Sequence, residues 1–205
     1  MGKRMIWQAA LVVGAAGLAT AAVSEVSLGE ARSVRVRMHD AAAAEVGSVR
    51  FADEDGVTTV RVELQFDPTR VAVNAFHGFH VHANDDASNG AGCVADPASA
   101  PTTWFTSADG HWKLAAQGHG AHLGDLFSVY VTGDGSAEAR FVTDRFSVAD
   151  LAGRAVMIHA LPDNFGNVPV GTALNQYAAN AVDATTLTAN TGNAGARIAC
   201  GVVGR

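Results

Sequence analysis

Two histidines separated by one residue give the first sign of chemistry in this sequence. His80 and His82 end a short apolar run that begins at Phe76. Because successive side chains of a β-strand point to opposite faces, a strand here would project both imidazoles from one face. On a helix the same spacing would place them about 200° apart. A strand therefore predicts a pair of metal ligands, although His-x-His pairs with a purely structural role are also common.

A second group of metal-binding residue types follows downstream. Three histidines and one aspartate fall within fifteen residues, a donor set that suits four-coordinate zinc: His111, His119, His122 and Asp125. The alternative is a polar loop that happens to be rich in histidine. A further histidine, His159, lies in the apolar run 156–160. The combined set exceeds the needs of one ion, so we expect two adjacent metals, copper in the nitrogen-rich set and zinc in the set with the carboxylate.

The elements that must position these residues are predicted to be strands. Asp55-Gly56 and Gly133-Asp134-Gly135 are turn signals between alternating runs and predict two hairpins. Segments 83–124 and 160–196 lack clear periodicity, and loops of this length in a compact domain are usually functional. Eight runs have strand character: 34–38, 49–51, 60–66, 76–81, 127–131, 137–141, 155–159 and 198–203. We therefore expect a single all-β domain.

Composition excludes other classes of protein. The chain has 205 residues, 48% of them hydrophobic, enough to fill a core and to exclude disorder as the main state. Lys and Arg number 14 against 20 Asp and Glu, giving a formal net charge of −6. No excess of positive charge is available for phosphates, so no nucleic-acid partner is expected. The 22 Gly and 5 Pro residues favour short strands and turns over long helices.

The N-terminus has the features of a secretory signal. Lys3 and Arg4 precede an uncharged run over 5–23, and Ala19-Thr20-Ala21 offers the small residues that signal peptidase accepts. The alternative is an uncleaved membrane anchor, because the run approaches the roughly 20 apolar residues of a spanning helix. Export would place the protein in the periplasm, the cell envelope or the medium. The expected organisation is a signal peptide over 1–21, a flexible segment over 22–32 and one domain over 33–205.

Export also decides how the cysteines are interpreted. Cys93 and Cys200 are the only two in the chain. In an oxidising compartment the default is a disulfide between them, which would tie a mid-chain loop to the last strand. Closing a loop of this length stabilises a fold by about 4 to 5 kcal/mol in the chain-entropy account.

Taken in order, several strings of the sequence resemble the secreted bacterial copper/zinc superoxide dismutases. The similarity runs from about residue 33 to the C-terminus. It implies an eight-stranded, flattened Greek-key barrel or sandwich with two long functional loops. The strings are Gly78-Phe79-His80-Val81-His82, Ala91-Gly92-Cys93, His122-Leu123-Gly124-Asp125-Leu126, Val156-Met157-Ile158-His159 and Thr191-Gly192-Asn193-Ala194-Gly195-Ala196-Arg197-Ile198-Ala199-Cys200.

The resemblance also implies an activity. Such an enzyme converts superoxide to oxygen and hydrogen peroxide by copper redox cycling, with zinc in a structural role. Its substrate is a small anion, no stable membrane partner is expected, and a homodimer is one option for the oligomeric state.

Roles follow position by position from the same resemblance. It implies that His111 bridges the two ions and handles a proton, that Asp163 joins a copper-bound to a zinc-bound histidine, and that Arg197 holds superoxide at the copper site. Cys93 and Cys200 match the family disulfide, and His77 matches a structural histidine. The implied ligands are His80, His82, His111 and His159 for copper, and His111, His119, His122 and Asp125 for zinc.

Departures from the family leave alternatives open. Only two residues separate His119 from His122, a shorter spacer than in relatives, so a copper-only dismutase with a degenerate zinc loop is one alternative. Segment 160–196 contains no Lys, Arg or Glu, so electrostatic steering of the anion would rest on Arg197. Two further alternatives are a non-catalytic exported copper-binding module and a disulfide-tied sandwich used for adhesion.

Overall fold

The computed structural model describes residues 32–90, 92–168 and 186–204, and in them it confirms an all-β fold. The described residues hold nine strands, one short α-helix, α1 Thr186–Thr191, and four 3-10 helices, Ala87–Asn89, Pro101–Thr103, Thr106–Ala108 and Val148–Leu151. The strands are β1 Ser33–Asp40, β2 Glu45–Glu54, β3 Val57–Gln65, β4 Ala75–His77, β5 Phe79–His82, β6 Val129–Val131, β7 Ser136–Thr143, β8 Ala155–His159 and β9 Arg197–Val202. The expected signal and most of the flexible segment lie outside the described residues.

Seven strands form one antiparallel sheet in the order β5-β8-β9-β1-β2-β3-β7, and β4 pairs with β6 in a separate ladder. Strands distant in the chain are neighbours, since β9 lies between β8 and β1, and β7 lies beside β3. Such antiparallel connections are typical of the expected Greek-key topology. The strand count is nine rather than eight because the run 76–81 divides at Gly78.

Gly78 marks this division because the chain is crowded there. A Cβ at this position would lie 2.7 Å from the Ala194 Cβ and 3.2 Å from Asp163 Oδ1. Before Gly78, β4 pairs with β6; after it, β5 pairs with β8. The division lets β5 enter the large sheet alone, with every residue buried.

One of the two expected hairpins is present. Strands β2 and β3 pair in register across Asp55 and Gly56, whose φ angles of 50° and 83° match the left-handed turn that a two-residue hairpin prefers. The second expected hairpin is wrong. Although Thr132 N donates to Ser136 O at 2.9 Å, β6 then pairs with β4, whereas β7 pairs along its full length with β3.

Two apolar clusters support the sheet. The larger contains Phe51, Phe79 and Val62, all fully buried. The smaller lies under the loop that follows β5 and includes Phe105 and Cys200. Cys200 on β9 is joined to Cys93 in that loop by the expected disulfide, which is confirmed. Within the described residues, no helix has the length and apolar character needed to cross a bilayer.

Candidate metal centre

The metal-binding residue types come together around β5. This strand pairs with β8 on one side, and on its other side single bridges join His80 to Asp125 and His82 to His111. The bridges hold the long loop against the strand, because Val81 N donates to Gly124 O at 2.8 Å. Gly124 is required at this approach, since a Cβ there would overlap the carbonyl oxygen of Val81.

Four histidines form the first group of candidate ligands. Each offers one ring nitrogen, these nitrogens lie within 4.8 Å of one another, and all four residues are buried. The expected strand alternation places His80 and His82 on one face of β5, with their ring centroids 6.3 Å apart. The group consists of His80, His82, His111 and His159.

Hydrogen bonds fix which nitrogen each ring offers. His82 Nδ1 donates to Asp109 O at 2.9 Å and His159 Nδ1 to Gly195 O at 3.1 Å, so both Nε2 atoms carry lone pairs. His80 is reversed, because its Nε2 lies 2.8 Å from Asp163 Oδ1. Its Nδ1 is buried without a hydrogen-bond partner among the described residues, as is His111 Nε2. Unpartnered buried nitrogens cost about 1 to 3 kcal/mol each, so the arrangement fits a metal ion.

Electrostatics keep three of these rings, those of His82, His111 and His159, in the neutral form that binds a metal. Burial, with a smaller contribution from neighbouring cationic groups, lowers the pKa of His82 and His159 well below the usual value. Burial and the proximity of His80 lower the pKa of His111 to about 3. Because a metal competes with protons for these nitrogens, neutral rings are ready to bind at neutral pH.

A second group of candidate ligands shares His80 and His111 with the first. It comprises His80, His111, His119 and Asp125, whose donor atoms also lie within 4.8 Å of one another. His111 Nδ1 is 2.9 Å from Asp125 Oδ1, and His119 Nδ1 is 3.3 Å from Asp125 Oδ2. Imidazole and carboxylate donors of this kind suit zinc.

His122 is absent from that four-residue group, yet it reaches the same atoms. Its Nδ1 lies 3.2 Å from Asp125 Oδ1 and 3.4 Å from His111 Nδ1, and its ring is fully buried. The ring centroids of His119 and His122 are 5.7 Å apart. The short spacer therefore does not prevent both rings from approaching Asp125.

The charge of the second group differs from that of the first. Burial disfavours the cation of His119, but close contacts with the carboxylates of Asp125 and Asp163 outweigh it and raise the pKa to about 9. Burial likewise opposes ionisation of Asp125, yet interactions with His111, His119 and His122 hold its pKa far below the usual range. The carboxylate is thus anionic at neutral pH and supplies the negative charge that a divalent cation needs.

Asp163 joins the two groups. Its Oδ1 lies 2.8 Å from His80 Nε2 and 3.2 Å from His119 Nε2. The carboxylate is fully buried, and burial opposes its ionisation, but the contacts with His119 and His80 keep its pKa well below normal. This is the geometry that the sequence resemblance implies for Asp163.

Arg197 lies beside the first group. Its guanidinium donates to the carbonyl oxygens of Phe105 and Asp109, and Asp109 O also accepts the His82 Nδ1 proton. One carbonyl therefore holds both the candidate ligand and the arginine. The positive charge of Arg197 adds to burial in lowering the pKa of His82 and His159.

His77 takes no part in either group. Its Nδ1 lies 2.7 Å from His159 O and its Nε2 lies 2.8 Å from Ala72 O. Both ring nitrogens are occupied by main-chain oxygens, so the residue connects β4 to the end of β8.

Sequence reasoning missed three residues that shape the site. Arg145 donates to three carbonyls at the end of the long loop between β5 and β6, at 2.8 Å to Gly120 O, 2.7 Å to His122 O and 3.0 Å to Asp125 O. Gly192 has a φ of +57°, and a Cβ there would overlap the His119 ring. Asp109, at φ 62°, also accepts main-chain N–H groups of the loop that follows β5. The sequence patterns gave none of the three a role, since each acts on residues distant in the chain.

Several known proteins are similar to this chain in sequence and in fold. The profile of the family described as copper/zinc superoxide dismutase (SODC) matches residues 45–203. The superoxide dismutase (Cu-Zn) of Mycobacterium bovis is 37% identical over 164 residues, which are 78% of this chain and 65% of that protein. The chain thus spans 65% of that relative's length.

Two further comparisons extend this similarity. The superoxide dismutase (Cu-Zn) of Mycolicibacterium paratuberculosis is 32% identical over 187 residues, covering 90% of this chain and 79% of that protein. The solved Cu/Zn superoxide dismutase from Brucella abortus superposes with a TM-score of 0.58 at 22% identity, covering 84% of this chain and 99% of the other. That structural likeness establishes the fold. Because the family profile spans most of the sequence, this chain belongs to the copper/zinc superoxide dismutase family.

Proposed function

We propose that this chain dismutates superoxide, converting two superoxide anions and two protons into oxygen and hydrogen peroxide. The observation that carries the proposal is the position of His111. Its Nδ1 is engaged with Asp125 Oδ1 at 2.9 Å, whereas its buried Nε2 has no hydrogen-bond partner among the described residues. His80 and His111 both belong to the two ligand groups, but His80 Nε2 is engaged by Asp163, which supports His111 as the ring that would serve two ions.

The proposed copper set is the first group, and the proposed zinc set is the second group with His122 in place of His80. When bound, copper supplies the one-electron redox couple that the reaction requires, and zinc, which has no accessible redox change, holds the loop. The contacts of both His119 and His122 with Asp125 favour the two-metal form over a copper-only form. Copper would be held by His80, His82, His111 and His159, and zinc by His111, His119, His122 and Asp125.

His111 and Arg197 are the proposed catalytic residues. His111 Nε2 is the atom that would hold the proton delivered to peroxide, because the other ring nitrogen, Nδ1, is already engaged by the Asp125 carboxylate. Arg197 is half-buried, with its guanidinium fixed by two carbonyls, and a fixed guanidinium suits a small anion. Its tethering to Asp109 O would place the anion beside His82.

The positions of His80 and His119 are proposed to depend on Asp163. This carboxylate contacts the outward nitrogens of both rings, at 2.8 and 3.2 Å. A carboxylate in this position fixes ring orientation and raises ligand basicity. The two ion sites would therefore be mechanically coupled through Asp163 as well as through His111.

We also infer that the protein is exported, with residues 1–21 removed as a signal peptide. The support is the charged, apolar and small-residue pattern of this segment, together with the Cys93–Cys200 disulfide, which persists in oxidising compartments. N-terminal sequencing of the protein from its native host should start at residue 22. A mature chain that still contains residues 1–21 contradicts the inference.

The test of the proposed function is elemental analysis of the purified protein together with a superoxide assay. Copper and zinc in equal amounts with turnover are expected, and His159→Ala should lose copper and turnover together. Copper without turnover in the unmodified chain would leave only a binding module and would overturn the proposal. Unchanged activity in His159→Ala would overturn the copper assignment.

A further inference from the structure

A row of arginines crosses the outer face of the large sheet, at the end of the strand order opposite to β5 and β8. In three successive ladders each arginine stands directly opposite the next. All four are exposed. The members of this arginine row are Arg35 on β1, Arg50 on β2, Arg61 on β3 and Arg140 on β7.

The row carries charge that the fold does not neutralise. Like charges directly opposite one another destabilise a sheet. The outer members have acidic neighbours, since Arg35 lies 3.4 Å from Glu63 and Arg140 lies 3.9 Å from Glu54. In the described part of the chain, no carboxylate lies within 4.0 Å of Arg50 or Arg61, although the net charge of the whole chain is −6. The arginine row is therefore a positively charged surface on a protein whose net charge is negative.

The heads of the row are presented on a shallow surface. The neighbouring positions Ala52 and Thr59 are each only 8% exposed. Aliphatic stems of arginine cover such small residues and leave the guanidinium groups outside. A cavity of about 180 Å³ is lined by three of the arginines, Arg50, Arg61 and Arg140, by Ala52 and Thr59, and by one carboxylate, that of Glu54, which pairs with Arg140. Adjacent strands are about 4.8 Å apart, so four heads extend over about 14 Å.

We propose that the arginine row binds a linear acidic polysaccharide, with its carboxylate groups paired to successive guanidinium groups. The planar fork of arginine matches a carboxylate. The row is one residue wide, and the next row on one side places Glu63 opposite Glu138. A plane of anionic headgroups would meet those glutamates, whereas a single chain can follow the arginines and avoid them.

The side chains beside the arginine row also disfavour a nucleic-acid strand as its ligand. Proteins that bind single strands combine positive charge with aromatic side chains on which bases stack. In the described strands, the positions beside the row on β1, β2, β3 and β7 are Ser33, Ala52, Thr59 and Val142, none of them aromatic. The charges needed for a polyanion are present, but the stacking surface for bases is not.

The proposal is tested by affinity electrophoresis of the metal-loaded full chain in polygalacturonate at low ionic strength, about 20 mM salt. Replacing Arg50 and Arg61 together by Gln should weaken binding by about tenfold or more. Arg61→Gln alone should weaken it less, and the charge-matched control Arg70→Gln, in the turn after β3, should bind as the unmodified chain does. Added salt should release the polymer.

Folding and activity are monitored in the same variants. Because the substitutions remove like-charge repulsion, the double variant should melt no lower than the unmodified chain, and its metal content and superoxide turnover should not change. If such a variant loses polysaccharide binding while its melting temperature and turnover are unchanged, misfolding is not the cause. The result then tests the arginine row separately from the proposed superoxide dismutation. No binding by the unmodified chain, equal loss in Arg70→Gln, or tighter binding to phosphatidylglycerol vesicles or single-stranded DNA than to polygalacturonate would each overturn the proposal.

Discussion

The Nε2 atoms of His82 and His159 lie 3.3 Å apart in the buried centre of the site. Each ring donates its Nδ1 proton to a carbonyl, so the two Nε2 lone pairs face one another. Burial lowers the pKa of both rings well below the usual value, and a proton therefore does not bridge them at neutral pH. A shared cation would satisfy both lone pairs, so the contact supports a metal ion between the two rings.

Arg197 is expected to control rate rather than metal content. Arg197→Gln should lower kcat/KM by about tenfold or more and flatten its dependence on ionic strength, because the fixed positive charge beside His82 is lost. Copper content should be unchanged. Stopped-flow assays over a range of salt concentrations measure both effects, and Arg70→Gln serves as the charge-matched control. An unaltered salt profile in Arg197→Gln contradicts the steering role.

Gly192→Ala is expected to remove zinc. The substitution forces a Cβ into the His119 ring at a residue with φ +57°, so the ring must leave its place beside Asp125. The matched control is Gly56→Ala, which has φ +83° but open space around the added carbon. Both should lose about 1 to 2 kcal/mol of stability through backbone strain, but only Gly192→Ala should lose zinc after dialysis. Equal zinc contents in the two variants would exclude this role for Gly192.

Arg145 is expected to position the zinc loop. Its guanidinium holds three carbonyls between residues 120 and 125, so Arg145→Gln should release zinc about 10 to 100 times faster to a chromogenic chelator. Arg145→Lys keeps the charge but cannot span three acceptors. Its rate of zinc release should therefore lie between those of the unmodified chain and Arg145→Gln. The cobalt-substituted site should also show a changed visible spectrum in Arg145→Gln. Zinc release at the rate of the unmodified chain would contradict the assignment.

His119 is expected to titrate at high pH in the metal-free protein. Contacts with Asp125 and Asp163 outweigh burial and raise its pKa to about 9, so the ring is a cation at neutral pH. The stability gained from these contacts is fully present below the usual histidine pKa and is lost as pH rises through about 9. Proton NMR of the metal-free protein should give a midpoint near 9 for a resonance that is missing in His119→Gln. A midpoint at or below the usual histidine value would contradict the role of these two carboxylates.

The sequence predicts some of this architecture for a clear physical reason. Strand alternation is local, so the common face of His80 and His82 follows from their spacing alone. The Asp55-Gly56 turn is equally local, and its hairpin is present. The second hairpin failed because β6 and β7 have better partners elsewhere in the chain, which alternation cannot reveal.

The remaining parts of the site depend on long-range packing. The resemblance to a family drew attention to Asp163 and Arg197, but composition and spacing alone gave no sign of their contacts. Arg145 had no signal at all, and Gly192 lay in a string that resembles the family without being given a role, because an arginine after a strand and a glycine in a loop are ordinary. Their importance appears only when the loop folds back on β5.

The most direct test of the central claim is a crystal structure of the copper- and zinc-loaded protein, with anomalous differences collected at both metal edges. We expect two separate peaks, copper beside Nε2 of His111 with His80, His82 and His159, and zinc beside Nδ1 of the same ring with Asp125. Peaks that coincide, or a His111 ring that contacts only one of the two ions, would contradict the shared-ligand account.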